Sequence, residues 1–167
     1  GPDHAASLEP ENAQHVFNMA IITDRTGNRA KAISLYEKAL DQVTITLQDL
    51  EQDGFGDHPF YWFIVAEHQN KIVGISFYFI RYSTWKGKFL FLEDFVVQEK
   101  WRGNGVGAML FEATTKVALE MNAKGMFWQV LDWNEPAINF YKKYDSIIED
   151  DWLNGKLTLD QLQKITK

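Results

Sequence analysis

Behind Pro10 and Glu11, the apolar residues Ala13, Val16, Phe17, Ala20 and Ile21 recur at the spacing of one helix face and predict a first helix. The polar stretch at residues 24–28 breaks the pattern. Residues 29–40 predict a second helix. Residues 46–52 predict a short third one, capped by Thr46, with Gly54 beyond its end. From Phe60 onward the period shortens. Residues 60–67 and 71–81 read as two strands of a hairpin turning at His68, Gln69 and Asn70. Residues 88–97 (KFLFLEDFVV) are apolar on both faces, as a central strand is. A long helix is expected over 105–122, a buried strand over 125–131 and a short helix over 136–144. Residues 146–159 are expected to hold one or two further strands, with Asp160 capping a last helix. Strands alternating with helices predict an α/β fold, a sheet with helices packed on it.

At 167 residues the chain fits one domain with one core, spanning residues 1–167. No apolar run approaches the ~18 residues of a bilayer span, and no signal-peptide pattern is visible. A cytoplasmic location with no membrane partner is the expectation. The absence of cysteine excludes a disulfide framework, a thiolate nucleophile and thiolate metal sites. His4, His15, His58 and His68 show no metal-ligand spacing, so no metal is expected. The net charge of -6 argues against nucleic acid and suits a cationic ligand. Gly1 and Pro2 carry no functional weight.

The sharpest motif is Arg102-Gly103-Asn104-Gly105-Val106-Gly107, continuing into Ala108, between a buried strand and a helix. Glycines there permit positive φ and close backbone approach. The unpaired N–H groups of a helix start, with the helix dipole, then attract an anion such as pyrophosphate. A P-loop would need Gly-Lys-Ser/Thr, and a dinucleotide fingerprint would need Gly-x-Gly-x-x-Gly; neither is present. A plain glycine-rich turn is the alternative reading.

Three longer stretches narrow the choice: residues 53–61 (DGFGDHPFY), 91–97 (FLEDFVV) and 132–142 (DWNEPAINFYK). With the Arg102–Gly107 motif, they make the chain resemble the GNAT superfamily of acetyl-CoA-dependent N-acetyltransferases. Within it, the chain is similar to the diamine (spermidine/spermine) and thialysine acetyltransferases. The resemblance covers roughly residues 34–165 and is poorer before Ser34. It implies the GNAT fold, a central mixed twisted sheet flanked by helices. It also implies acetyl-CoA as cofactor, a small cationic amine as substrate and a homodimer.

The resemblance distributes roles. Arg102 to Ala108 would bind the pyrophosphate, the backbone of Phe95, Val96 and Val97 the pantetheine arm, and Asn134 the pantetheine as well. Lys143 reads equally as a phosphate contact and as a solvated charge. Glu93 would bind the amine and help remove its proton, and Asp94 would be structural, because neighbours on a strand face opposite sides. A salt-bridged structural carboxylate is the alternative for Glu93. Tyr141 would be the general acid for the departing CoA sulfur, the alternative being a packing tyrosine. Tyr36, Glu37 and Asp150 match positions lining the amine channel, and Trp85 and Trp152 are candidate walls for the substrate's methylenes, with ordinary surface or core roles open for these five; the hydroxyls of Ser83 and Thr84 could hydrogen-bond the amino-acid end of a lysine analogue. Ser83-Thr84-Trp85 is similar to the thialysine group, whereas residues 135–139 (EPAIN) are more like the polyamine enzymes. A primary alkylamine has a pKa near ~10.4, so freeing it of its proton at pH 7 costs roughly 4 kcal/mol, which is why a base is wanted. A CoA-binding regulator without chemistry and a protein N-terminal acetyltransferase are the competing functions.

Overall fold

A computed structural model of the chain describes residues 45–165. The helices expected before residue 41, with Tyr36 and Glu37, lie outside the described residues. Two compact units are present, one ending at Gln129 and the other beginning at Val130.

The first unit opens with α1 (Leu47–Phe55). Thr46 and Asp49 close it with a capping box: Asp49 N–H donates to Thr46 Oγ1 at 3.0 Å and Thr46 N–H donates to Asp49 Oδ2 at 2.9 Å. These bonds, led by the Thr46 hydroxyl, hold the Asp49 carboxyl below its ordinary pKa. The helix does not stop before Gly54, as expected, but runs through it to Phe55, and the N–H of Gly56 closes on Gln52 C=O. The reason lies in Tyr61. A Cβ on Gly54 would fall 2.5 Å from the Tyr61 ring. That ring is held by its hydroxyl on Leu50 C=O and by stacking on Phe77 at 4.3 Å. Gly54 therefore serves packing rather than termination.

Strands β1 (Trp62–His68), β2 (Lys71–Ser83) and β3 (Gly87–Val97) come next. A 3-10 turn (Glu99–Trp101) then leads to α2 (Val106–Glu120) and β4 (Met126–Trp128). The sheet order is β1-β2-β3-β4, antiparallel through β3, with β4 parallel to β3. The first hairpin turns on Gln69 and Asn70, with φ of 50° and 60°, the two-residue turn whose twist matches the strands. Both of the first two strand pairs carry a bulge. Val73 is the extra residue of β2 against β1, and Glu93 that of β3 against β2. On one face, Val73, Ile64, Ala66, Phe95 and Val97 pack with Val106 and Leu110 of α2. On the other, Ile72, Ile75 and Val96 pack with Phe63 and Val65.

β4 is shorter than the 125–131 expected, because its ladder ends where β3 reaches its bulge. In the second unit, α3 (Glu135–Lys142) follows its cap Asn134, and α4 (Leu159–Ile165) ends the described residues. The strands expected in 146–159 do not form; the stretch between the two helices has no regular structure. The cap of α4 is Thr158 rather than Asp160: Gln161 N–H reaches Thr158 Oγ1 at 3.4 Å while Thr158 N–H donates to Gln161 Oε1 at 2.8 Å. Asp160 lies in the first turn instead.

Gly54→Ala is expected to lower stability. Forcing a methyl against a ring fixed at both ends costs about 1–3 kcal/mol, against a gain of about 1 kcal/mol in helix propensity. Chemical denaturation checks the sign, and the same substitution beside Tyr61→Ala should turn stabilising.

Candidate active site

The site begins at the bulge in β3. Phe77 pairs with Asp94 and Tyr78 with Leu92, so Glu93 has no opposite number and projects exposed from the strand. A bulge interrupts alternation. The separation of Glu93 and Asp94 onto opposite faces, expected from regular strand geometry, therefore does not apply across this step. Asp94 keeps its ladder position opposite Phe77.

The bulge also changes which backbone groups face β4. Leu90 N–H donates to Gly125 C=O at 3.1 Å, so the groups of Leu90, and of Leu92 by alternation, point toward β4. Without an extra residue the same direction would pass to Asp94 and Val96. With it, the register against Ser76 and Gly74 turns the N–H and C=O of Phe95 and Val97 that way. The β4 ladder has by then ended at Leu92↔Trp128. β3 thus runs on to Val97 beyond the end of its ladder with β4. Arg102 grips the end of that edge, its Nε donating to Val97 C=O at 3.0 Å.

The loop beyond is compact. Gln98 N–H donates to C=O of the bulged Val73 at 2.9 Å and Arg102 N–H to Glu99 C=O at 3.0 Å. Asn104 Nδ2 closes on Arg102 C=O at 3.1 Å. Gly103 and Gly105 have φ of 76° and 81°, the left-handed region that glycine adopts without strain. A Cβ on either would meet nothing within 4 Å, so the space above them is open. The first helical bond of α2 runs from Met109 N–H to Gly105 C=O at 3.0 Å. The N–H groups of Val106, Gly107 and Ala108 precede it, and no acidic side chain occupies that turn. Val106 itself is buried and anchors the helix start. Open space, positive φ and donors at a helix start fit a pyrophosphate.

Other expected site residues lie elsewhere. Ser83, Thr84 and Trp85 form the tip of the β2–β3 hairpin. Ser83 Oγ accepts from the N–H groups of Trp85 at 3.2 Å and Lys86 at 3.1 Å, which makes it a turn residue, and Trp85 is 92% exposed. The tip stands six strand positions from Glu93, about 20 Å at the rise of a strand. The structure does not bring these three beside Glu93.

In the second unit, Tyr141 is 6% exposed and burial pushes its phenol up to about 12. Asn134 caps α3, its Oδ1 accepting from Ala137 N–H at 3.3 Å. Lys143 is the exposed C-cap of α3. Asp150 and Trp152 are exposed in the irregular stretch. Among the described residues no cluster of three His, Asp or Glu is placed to hold a metal, and no helix is long and apolar enough to cross a membrane. Sequence reasoning missed the bulge and the Arg102–Val97 clasp. The one available signal was a pair of acids, Glu93 and Asp94, inside an apolar strand.

Comparison with known proteins agrees with this geometry. The model of the acetyltransferase (GNAT) family matches residues 30–145. The thialysine N-epsilon-acetyltransferase of Bos taurus is 38% identical over 120 residues, covering 67% of this chain and 71% of that protein. Its Mus musculus counterpart is 32% identical over 146 residues, covering 81% and 86%. Among solved structures, an integron cassette protein from the mobile metagenome of V. cholerae aligns with a TM-score of 0.64 at 21% identity, covering 96% of this chain and 94% of that one. The mixed sheet, the bulged strand and the glycine loop opening a helix are accounted for together: the chain belongs to the acetyltransferase (GNAT) family.

Proposed function

We propose that the protein transfers the acetyl group of acetyl-CoA to the primary amine of a small cationic molecule, a thialysine-like amino acid in preference to a polyamine. One observation carries the reading: the bulged edge of β3 leads, through Gln98 and one 3-10 turn, into a two-glycine loop and the open start of α2. An edge strand suits the peptide-like pantetheine arm, and the helix start suits the pyrophosphate. Residues 102–108 would hold the pyrophosphate. Phe95, Val96 and Val97 would line the arm, and Asn134, whose side-chain oxygen caps α3, has its amide N–H groups to offer. Lys143 is a phosphate contact in this reading. When bound, acetyl-CoA supplies an activated thioester.

The chain supplies the proton chemistry. Glu93 stands exposed on its bulge, where it attracts an ammonium and accepts its proton, directly or through water. Tyr141 keeps its phenol proton at every physiological pH, since burial has raised its pKa. A short amine held at Glu93 does not reach the hairpin tip, so Ser83, Thr84 and Trp85 are not assigned to it. The net charge of -6 favours a cationic acceptor. The relatives named as thialysine enzymes favour that class, and a sulfur near the amine lowers its pKa and the cost of deprotonation. A single-domain cytoplasmic homodimer completes the reading, on the family resemblance and the absence of cysteine.

Tyr141→Phe should lower kcat by roughly 10²-fold while leaving acetyl-CoA binding intact, because the hydroxyl acts in the transition state. Glu93→Gln should lose rate mainly below the amine's pKa and regain part of it at high pH. The folded pKa of Tyr141 is raised from 10.0 to about 12. Its contribution to stability is therefore complete below pH 10 and lost as pH rises through about 12. No alkaline fall in kcat from Tyr141 is expected below that range. Stopped-flow rates under chemistry-limited conditions decide; full kcat in Tyr141→Phe removes the general acid.

The second test is an amine panel with acetyl-CoA, read by thiol release. Thialysine should show a higher kcat/KM than spermidine or spermine at equal pH and salt. A clear preference for spermidine reverses the assignment, and thiol release with none of the amines leaves a CoA-binding protein without this chemistry.

A further inference from the structure

Ser76 and Thr114 are polar residues placed in apolar surroundings, and each is 0% exposed. Ser76 lies on β2 opposite Ile64 and Phe95, on the face that meets α2. Its Oγ stands 2.6 Å from Thr114 Oγ1, which in turn is 2.7 Å from Leu110 C=O. A carbonyl only accepts, so Thr114 spends its proton on Leu110 and Ser76 is the donor to Thr114. Two residues earlier on β2, Gly74 faces the same helix. A Cβ there would lie 2.8 Å from Leu110 Cδ1 and 3.0 Å from Val96 C=O. Val106, Leu110 and Thr114 are successive members of one buried stripe of α2.

We propose that the Ser76–Thr114 hydroxyl pair, seated by Gly74, is the positioning device that aims the anion-binding start of α2; the proposal rests on the acetyl-CoA reading above. The neighbouring contacts of this face are largely apolar, with Phe95 and Phe111 edge to face at 5.9 Å. They hold the helix down but let it slide or roll by fractions of an ångström. Gly74 sets how closely the helix approaches. The hydroxyl bond, which weakens steeply with distance and angle, sets where along the strand it rests. Thr114 lies eight residues from Val106, about 12 Å along the axis. A tilt of ~5° about Thr114 would carry the N–H groups of Val106 to Ala108 by about 1 Å, enough to spoil hydrogen bonds of ~2.9 Å. β3, which holds the pantetheine edge, is paired directly to β2 and does not depend on this bond.

The test compares two acetyl donors, acetyl-CoA and S-acetylpantetheine, which lacks the pyrophosphate. The double variant Ser76→Ala with Thr114→Val removes both hydroxyls and leaves no buried partner orphaned. With acetyl-CoA its KM should rise at least ~10-fold (about 1.4 kcal/mol), with kcat within roughly 2-fold of the parent's. With S-acetylpantetheine kcat/KM should stay within roughly 2-fold, since the strand edge is undisturbed. Thr114→Ser, which keeps the hydroxyl, should restore the acetyl-CoA KM. An unchanged acetyl-CoA KM, or equal losses with both donors, overturns the positioning role. If the double variant does not fold, the single substitution Ser76→Ala carries the same comparison with the same outcomes. If the unmodified protein uses both donors equally well, the pyrophosphate reading itself fails and the positioning role falls with it.

Discussion

An antiparallel ladder that gains one residue on one side changes phase at that point. In this protein the gain is Glu93, and the proposed cofactor-binding edge depends on it. The extra residue projects a carboxylate from the middle of an apolar strand and turns Phe95 and Val97, rather than their neighbours, toward β4. It falls one step after the last β3–β4 pair, Leu92↔Trp128. The β3–β4 ladder ends there, and β3 continues to Val97. The chain then needs only Gln98, a single 3-10 turn and the Arg102 clasp to reach a helix start with its donors open.

The two groups proposed for proton transfer differ in exposure. Glu93 is exposed. Tyr141 is buried and its phenol is pushed up to about 12, which keeps it an acid. The family supplies the acetyltransferase chemistry. The net charge of -6 suits a cationic acceptor.

Some of this was legible in the residues and some was not, for physical reasons. The glycines of the loop announced themselves because left-handed backbone selects glycine, and Gly103 and Gly105 do adopt it. Thr46 was recognisable as a cap because capping is local. The bulge was not, since its residues carry no turn signature and register exists only relative to a partner strand. Gly54 misled for a related reason: the ring that requires it is Tyr61, beyond the helix end. The Ser76–Thr114 bond joins residues 38 apart, a pairing that no local pattern reports. Ser83, Thr84 and Trp85 were grouped with Glu93 by family pattern, while the ladder puts them at the far end of the hairpin. Apolar residues in 146–159 suggested strands, but Ile147 and Leu153 are exposed and the stretch adopts none.

Amide hydrogen exchange with and without coenzyme A tests the central claim most directly, because it reads the backbone groups themselves. The bulged edge and the helix start should be the places where the ligand is held. Val97 and residues 105–108 should exchange more slowly once coenzyme A is bound, while the β1–β2 turn at Gln69 and Asn70 should not change. Binding of coenzyme A that leaves those amides exchanging at their original rates would contradict the account.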